Sequence, residues 1–290
     1  MIQDIFPHVL KNTYMTDAVA DENSLIIYFS PEGTILVKEA KEEDGSNRKI
    51  FPRLSEFVSR PTKLTYLYSM DSDRFFLMED EDVTIPDGYF FSKVRALRAE
   101  KDIAKKSIFE VFTAKQLASW YKNNKFCGRC GSLTTHSTTE RAIVCPSCGY
   151  TIYPRVVPAV ITAVISRGET PDKDRILLTK YKAGISYYAL VAGFTEIGET
   201  LEQTVAREVM EETGIKVKNI RYYKSQPWGV VDDLLAGFFC EADGDLTIQR
   251  DESELAVAEW KYRDEVILQP DQLSLTNEMM TRFKNGDDIL

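Results

Sequence analysis

Hydrophobic residues recur along this chain with distinct periods, and these periods predict where helices and strands form. From Thr200 onward apolar residues return at four-residue steps, and Gly214 stands where a helix is expected to stop. Two apolar runs, at 156–165 and 175–178, are separated by a polar turn and predict adjacent strands. The pattern therefore predicts a mixed sheet flanked by helices.

The N-terminal part shows another pattern, with short strand-like runs, such as 64–68, between polar turns. A helix is predicted over 109–121, directly before the first cysteine pair. With 290 residues and 43% hydrophobic content, the chain has enough apolar material for more than one core. We predict an N-terminal α+β domain, a linker helix with a cysteine-containing module, and a larger C-terminal domain. Their predicted limits are 1–110, 111–153 and 154–290.

The charge balance restricts the classes of partner. A formal net charge of -9 argues against a surface built for non-specific binding to nucleic acid or anionic lipid, which requires basic patches. The first ten residues lack the basic start and apolar core of a signal peptide, and the longest uncharged apolar stretch, 156–165, is too short to cross a bilayer. We expect a cytoplasmic protein with no membrane partner.

Four of the five cysteines form two CxxC pairs. They are Cys127, Cys130, Cys145 and Cys148. Two knuckles with glycines nearby are able to present four thiolates to one ion, which predicts a zinc ribbon. Disulfides or unrelated buried cysteines are the alternatives. Because four protein ligands leave zinc no open position for water, Zn²⁺ here is expected to be structural.

The segment 193–215 concentrates carboxylates on one predicted helix. At 100° per residue Glu208 and Glu212 lie nearly one above the other, with Glu211 beside them. Like charges so placed repel, whereas carboxylate oxygens are the ligands that Mg²⁺ or Mn²⁺ requires. The cluster therefore predicts a catalytic Mg²⁺ or Mn²⁺ site, with an ordinary solvated acidic face as the alternative. Arg207 is expected to pair with Glu199 and fix the loop against the helix.

The spacing of this segment resembles the Nudix box. Gly193, Glu199, the Arg207-Glu208 pair, the Glu211-Glu212 pair and Gly214 occupy its fixed positions. The resemblance implies the α/β/α sandwich with a mixed sheet of Nudix hydrolases, in a chain of the α+β class.

A second resemblance concerns the four-cysteine module and its surroundings. A zinc ribbon immediately before the box, followed by Tyr153-Pro154-Arg155 and later by Ser225-Gln226-Pro227-Trp228, resembles the NADH pyrophosphatase family over about residues 109 to 283. The resemblance implies hydrolysis of the diphosphate of NADH or NAD⁺ to AMP and nicotinamide mononucleotide. It also implies removal of an NAD cap from RNA, and assembly as a homodimer.

The family's roles carry over to matching positions. The implied ligands of the catalytic metal are Glu208, Glu212, Glu254 and the carbonyl of Ala192. The implied substrate contacts are Tyr153, Glu140, Phe194, Gln226, Pro227 and Trp228. Glu211 is the candidate general base, with Glu254 as the rival, since a carboxylate near a metal accepts a proton from bound water. The ring of Phe194 is suited to stacking on the nicotinamide, although Phe194 and Trp228 also fit ordinary core positions.

This sequence departs from the family in one loop. The usual SQPWPFPxS is SQPWGVVDD here, so a phenylalanine and two prolines are lost and Asp233 replaces the final serine. Thr276 replaces a small residue expected near the C-terminal helix. Asp232 and Asp233 either replace contacts to the ribose or discourage an additional phosphate. The alternatives are therefore a Nudix hydrolase of another substrate, such as ADP-ribose, a dinucleoside polyphosphate or coenzyme A, and an inactive zinc-ribbon protein that binds RNA.

Overall fold

The computed structural model describes residues 1–43, 45–80, 83–100, 102–182 and 187–288. The chain divides into two compact units. The N-terminal unit comprises Gln3–Arg155 and Gly229–Asp232, and the C-terminal unit comprises Met1–Ile2, Val156–Trp228 and Asp233–Leu290. The three-domain division at residues 110 and 153 stays a prediction.

The N-terminal unit contains short strands in three small sheets and one long helix. Its strands are β1 (Leu10–Lys11), β2 (Leu25–Ile27), β3 (Thr34–Lys41), β4 (Asn47–Ile50), β5 (Leu64–Met70), β6 (Asp73–Met78), β7 (Phe90–Lys93), β8 (Thr135–His136), β9 (Ile143–Val144) and β10 (Thr151–Ile152). The strand orders are β1-β5-β6-β2, β4-β3-β7 and β10-β9-β8. Helix α1 (Lys105–Asn123) confirms the predicted helix and extends it at both ends. Short 3-10 helices lie at Leu54–Glu56 and Val94–Ala99.

The C-terminal unit is built on a six-stranded sheet. Its strands are β11 (Val157–Ser166), β12 (Arg175–Tyr181), β13 (Val191–Phe194), β14 (Val217–Trp228), β15 (Asp233–Ala242) and β16 (Leu255–Tyr262). The strand order is β14-β15-β11-β12-β16, and β13 also pairs with β11. Strands β11 and β15 run parallel, whereas the remaining neighbours are antiparallel. The sheet is therefore mixed, as the sequence predicts, and β11 and β12 are adjacent.

Two helices cover this sheet, α2 (Leu201–Thr213) and α3 (Leu275–Asn285). Alternate residues of β11 belong to two different cores, because successive side chains of a strand point to opposite faces. The core that includes α3 receives Ile161, Ala163 and Ile165, and the core that includes α2 receives Val160 and Val164. This confirms the α/β/α sandwich. Within the described residues no helix is long and apolar enough to span a membrane.

Candidate active site and zinc centre

The carboxylate cluster lies on α2, whose two ends are defined by local hydrogen bonds. At the start, Thr200 and Gln203 cap each other: Gln203 N donates to Thr200 Oγ1 at 3.2 Å and Thr200 N donates to Gln203 Oε1 at 2.8 Å. At the end, Gly214 adopts a φ of 72°, and its N–H donates to Met210 O at 2.9 Å. The helix predicted from Thr200 to Gly214 is thus confirmed.

Gly193 on β13 provides the close approach between the sheet and this helix. A Cβ at this position would lie 1.9 Å from the carboxyl carbon of Glu208, so any side chain here would displace that carboxylate. The neighbouring Ala192 pairs with Ile161 of β11, which sets the position of its carbonyl. The box glycine therefore allows the carboxylate of Glu208 to lie directly against the β13 backbone.

Arg207 connects the loop to the helix. Its Nε and Nη2 donate to the two oxygens of Glu199 at 2.6 and 2.9 Å, which confirms the expected pair. Nη2 also donates to the Phe194 carbonyl at 2.9 Å, and Nη1 donates to Glu208 Oε1 at 2.8 Å and to Glu211 Oε2 at 3.0 Å. The guanidinium lowers the pKa of Glu199 to about 2. One arginine thus orders the loop and two box carboxylates.

Glu212 is the buried member of the cluster, with 3% of its surface exposed. Burial, reinforced by the charges of Glu208 and Glu254, raises the pKa of Glu212 to about 8. Its Oε1 accepts from the Tyr181 hydroxyl at 3.3 Å, whereas its buried Oε2 has no hydrogen-bond partner among the described residues. A buried carboxylate with an unmatched oxygen and two acidic neighbours is the donor set that suits a hard divalent cation. The residues present therefore fit Mg²⁺ or Mn²⁺.

Glu254 and Glu211 are more exposed than Glu212. Glu254 precedes β16, and its carbonyl accepts from Lys182 N at 2.9 Å. The segment before it is anchored to α2, because Asp251 N donates to the carbonyl of Glu212 at 2.9 Å. The Glu211 side chain is 59% exposed. The charge of Glu254 thus contributes to raising the pKa of Glu208 and of Glu212, whereas the Glu211 side chain is in contact with solvent.

Tyr181 is a site residue that the sequence analysis missed. Its hydroxyl also lies 3.4 Å from the carbonyl of Ala192, so it contacts two of the implied metal ligands. Burial raises its pKa, and Glu212 adds to the effect. The apolar pattern predicts a strand ending at Leu178, whereas β12 continues for three more residues to Tyr181. Extending the two-residue period from Leu177, which packs in the α2 core, would have placed Tyr181 on the same face.

The implied substrate contacts occupy varied environments. Phe194 ends β13 with 52% of its surface exposed, as a stacking ring requires. Tyr153 is 58% exposed, and its hydroxyl donates to Glu140 Oε1 at 3.2 Å, so that Glu140 raises the pKa of Tyr153. Pro227 is exposed and Trp228 is half-buried near the end of β14. Phe194, Tyr153 and Pro227 are thus accessible to a ligand.

Gln226, Asp233 and Thr276 are less accessible. Gln226 is fully buried, its Nε2 donates to Leu273 O and its Oε1 accepts from Leu275 N, both at 2.7 Å. This amide therefore fastens β14 to the start of α3, an environment unlike that expected of a substrate contact. Asp233 is buried at the start of β15 and Thr276 is half-buried in the first turn of α3.

The four paired cysteines form a compact cluster. Their sulfur atoms all lie within 4.8 Å of one another. Among the described residues, no other group of three or more Cys, His, Asp or Glu side chains is this compact. Each pair closes a similar turn, in which Gly131 N donates to Cys127 O and Gly149 N donates to Cys145 O, at 2.8 and 2.9 Å. Ser132 lowers the pKa of Cys130 to about 6, toward the thiolate that binds metal. The donor set fits Zn²⁺.

The box carboxylates do not form a second group this tight in the described part of the chain. Two of them, Glu208 and Glu211, are held by Arg207 instead. The cysteine and glutamate sites thus differ in kind: one is a closed set of four thiols, and the other is an open set of oxygens.

Comparison with known proteins agrees with both sites. Residues 157–283 match the NUDIX domain and residues 122–153 match the NADH pyrophosphatase zinc ribbon domain. Proteins named NAD-capped RNA hydrolase NudC from Klebsiella pneumoniae (strain 342) and Escherichia coli (strain K12 / DH10B) are 44% and 45% identical over 159 residues. Each match covers 53% of this chain and 58% of the relative, so the chain spans little more than half the length of these relatives.

Among solved structures, a NUDIX hydrolase from Nitrosomonas europaea is 24% identical, with a TM-score of 0.46, over 56% of this chain and 90% of that one. The family matches confirm both resemblances predicted from the sequence. This chain carries a NUDIX domain at residues 157–283, preceded at residues 122–153 by a zinc ribbon of the NADH pyrophosphatase kind.

Proposed function

We propose that this chain is a metal-dependent pyrophosphohydrolase that cleaves the diphosphate of NADH and NAD⁺ into nicotinamide mononucleotide and AMP, and that it removes an NAD cap from RNA. The observation that carries the proposal is Glu212, whose buried Oε2 lacks a hydrogen-bond partner within the described residues and which lies in the field of Glu208 and Glu254. The names of the relatives, NAD-capped RNA hydrolase, support the choice of substrate.

The proposed roles follow from the environment of each residue. Glu208, Glu212, Glu254 and the Ala192 carbonyl would hold Mg²⁺ or Mn²⁺. When bound, such ions neutralise charge on a diphosphate and lower the pKa of a coordinated water. Glu211 is the proposed general base, because its side chain is 59% exposed, with Glu254 as the alternative.

The remaining residues position or contact the substrate. Arg207 holds the loop through Glu199, and Phe194 offers an exposed face to the nicotinamide ring. We assign Gln226 a positioning role, since both ends of its amide bond to the backbone around α3. The assignment of Tyr153, Glu140, Pro227, Trp228, Asp233 and Thr276 to substrate binding rests on the motif resemblance.

A second candidate keeps the reaction and changes the substrate to ADP-ribose or another nucleoside diphosphate derivative. The altered loop favours this second candidate. Its sequence, Gly229-Val230-Val231-Asp232-Asp233, lacks the phenylalanine and prolines that the nicotinamide dinucleotide enzymes share. The box itself recognises a diphosphate and not the group attached to it. Turnover rates on NADH, NAD⁺ and ADP-ribose, measured side by side, separate these candidates.

The proposal is tested by product analysis. NADH, NAD⁺, ADP-ribose and NAD-capped RNA are offered in parallel with low Mn²⁺, and products are identified by mass. Glu212→Gln is expected to lower turnover by at least about 100-fold and to weaken Mn²⁺ binding, because it removes a charged ligand. Glu202→Gln, an exposed glutamate in the first turn of the same helix, is the matched control. Near-normal turnover by Glu212→Gln excludes this site.

The same experiment distinguishes a hydrolase from an inactive zinc-ribbon protein that binds RNA. Salt-dependent binding of uncapped RNA without hydrolysis of any dinucleotide favours the inactive RNA-binding alternative. We further propose that the protein is a homodimer in the cytoplasm, where a reducing environment keeps the zinc-binding thiols free. Light scattering of the purified chain measures its oligomeric state.

A further inference from the structure

A cavity of about 440 Å³ lies within the N-terminal unit, and none of its lining residues has a role in the chemistry proposed above. It is bounded by the turn after β2, the end of β6 and one side of α1. Much of its lining is apolar and includes the aromatic ring of Phe29, which a flat ligand could contact. The other apolar wall residues include Leu77, Met78 and Ala118. This volume lies in the range of small-molecule sites, which combine apolar walls with a few converging polar groups.

Three lysines line the same cavity: Lys115, Lys122 and Lys125. Lys115 and Lys122 are seven residues apart on α1, which is about two turns, and therefore lie on one side of the helix. Lys122 Nζ reaches the carbonyl of Pro31 at 3.4 Å, on the turn that forms the facing wall. The lysines thus concentrate positive charge in a chain whose net charge is -9.

Lys115 is only half-exposed and has no carboxylate within ion-pair distance among the described residues. Its Nζ donates to Ser119 Oγ at 2.6 Å and lies 5.9 Å from the ring centroid of Phe29. Burial lowers the pKa of Lys115, the charge of Asp232 opposes this fall, and the charge of Lys122 adds to it. A partly desolvated ammonium whose hydrogen-bond partner is a hydroxyl is stabilised by a bound anion.

Two lysines of this unit that are more deeply buried than Lys115 are paired with carboxylates. Lys49, with 1% of its side chain exposed, has Glu39 and Glu100 each at 2.8 Å. Lys106 has Asp71 at 3.3 Å. Lys115 differs from these lysines because it lines the cavity without a carboxylate at ion-pair distance among the described residues.

Two acidic residues also line the cavity. Both oxygens of Asp80 are engaged within the protein: Oδ2 accepts from Thr62 N at 3.0 Å and Lys63 N at 2.8 Å, and Oδ1 accepts from Thr62 Oγ1 at 2.9 Å. Glu79 Oε2 accepts from Thr65 Oγ1 at 3.3 Å, which leaves Oε1 to accept a bond from a ligand. The cavity thus offers cationic donors, an apolar wall and a carboxylate acceptor together.

We propose that this cavity binds a nucleoside phosphate, with the phosphate on Lys115 and Lys122, the base against the wall at Phe29, and an amino group of the base donating to Glu79. A nucleoside phosphate combines these three features in one molecule: an anion, a flat ring and a donor. The ligand is either a free mononucleotide or one nucleotide of a single-stranded RNA. The proposal does not depend on the chemistry of the NUDIX domain.

Calorimetric titration of the zinc-loaded full chain, without Mg²⁺ or Mn²⁺, tests the site. The ligands are AMP, adenosine, inorganic phosphate and an uncapped RNA decamer. Lys115→Gln combined with Lys122→Gln is expected to weaken AMP binding by at least about tenfold, because charge-assisted bonds to the phosphate are lost. The matched control combines Lys11→Gln with Lys93→Gln, which removes the same charge from exposed strand residues of this unit that do not line the cavity. It is expected to change the affinity by less than about twofold.

Lys122→Gln alone serves if the double variant does not fold, since this side chain is exposed, and about threefold weaker AMP binding is expected. AMP binding that depends on these lysines, without RNA binding, supports a free nucleotide as ligand. RNA binding with the same dependence supports a nucleotide within a strand. Failure of both AMP and RNA to bind at millimolar concentration, or affinities that the lysine variants leave unchanged, overturns the proposal. Neither result bears on hydrolysis, so the two proposals fail separately.

Discussion

Gly193 and Glu208 are in such close contact that a methyl group at position 193 would overlap the carboxylate, with 1.9 Å between the added carbon and the carboxyl carbon. The backbone of β13 cannot retreat easily, because it pairs with β11 from Ala159–Phe194 to Thr162–Val191. The position of Glu208 therefore depends on the absence of a side chain on a neighbouring strand.

Gly193→Ala is expected to displace Glu208 and to lower turnover of the preferred dinucleotide by about 100-fold, since a shift of about 1 Å in a catalytic constellation costs that much. Steady-state rates and Mn²⁺ titration measure the effect. Gly128→Ala is the control, because nothing lies within 4 Å of a Cβ at that position. An active Gly193→Ala enzyme would show that Glu208 is not needed where the structure places it.

Tyr181→Phe removes the hydroxyl that contacts Glu212 and the Ala192 carbonyl. We expect Mn²⁺ affinity to fall by about tenfold with the fold intact, because groups that orient metal ligands contribute about 10- to 100-fold to metal binding. Tyr222→Phe, on an exposed tyrosine of β14, is the matched control. Equal Mn²⁺ affinity in the wild type and Tyr181→Phe would contradict the positioning role.

Glu110 on α1 predicts a pH dependence of stability. It is 1% exposed, its Oε1 has no hydrogen-bond partner in the described residues, and burial raises its pKa to about 7. The nearby charges of Lys106 and Arg48 oppose this rise, whereas those of Asp73 and Asp71 reinforce it. A folded-state pKa above the unfolded value means that the stability contributed by Glu110 is complete below about pH 4.5 and is lost as the pH rises through about 7.

Glu110→Gln is therefore expected to raise the free energy of unfolding at pH 8 by up to about 3 kcal/mol and to leave it nearly unchanged at pH 4. Denaturant titrations across this pH range measure the change. Glu169→Gln, on an exposed glutamate, controls for loss of charge. A wild-type and a Glu110→Gln protein with parallel pH profiles would mean that Glu110 ionises normally.

Gly229 explains part of the altered loop. A Cβ at this position would lie 2.3 Å from the carbonyl oxygen of Phe112, so the proline common at this position in the family does not fit here. Gly229→Ala is expected to destabilise the protein by about 1 to 3 kcal/mol, as overpacking does. Val231→Ala, on an exposed side chain of the same loop, is the control. Thermal unfolding compares the two variants with the wild type. A Gly229→Ala protein with the melting temperature of the wild type would show that the backbone at Phe112 moves to accommodate the methyl group.

Local patterns predicted the elements around the site but not how distant parts meet. The helix from Thr200 to Gly214 follows from a four-residue period with a cap at each end, and those signals are contained in the segment itself. The Arg207–Glu199 pair was predictable for the same reason. The buried amide of Gln226, by contrast, bonds to residues 47 and 49 positions away, which no periodicity records.

Tyr181 lies beyond the apolar run from which its strand is predicted. The apolar run stops at Leu178 and predicts a strand ending there, whereas the backbone continues to pair with β16 as far as Tyr181. The two-residue alternation of a strand that continues past Leu178 places Tyr181 on the face of Leu177, toward α2. The lysine-lined cavity was not predicted, because its walls come from a turn, a strand and a helix that are far apart in sequence.

The division of β11 between two cores has a consequence for how this domain tolerates change. Val160 and Ile161 face opposite helices. Inserting or deleting a single residue inside the strand would therefore turn the following side chains to the opposite face, and both the α2 core and the α3 core would lose their contacts. Variation in length among proteins built this way should therefore collect in connections such as the one between β11 and β12, and the strand itself should keep a constant number of residues.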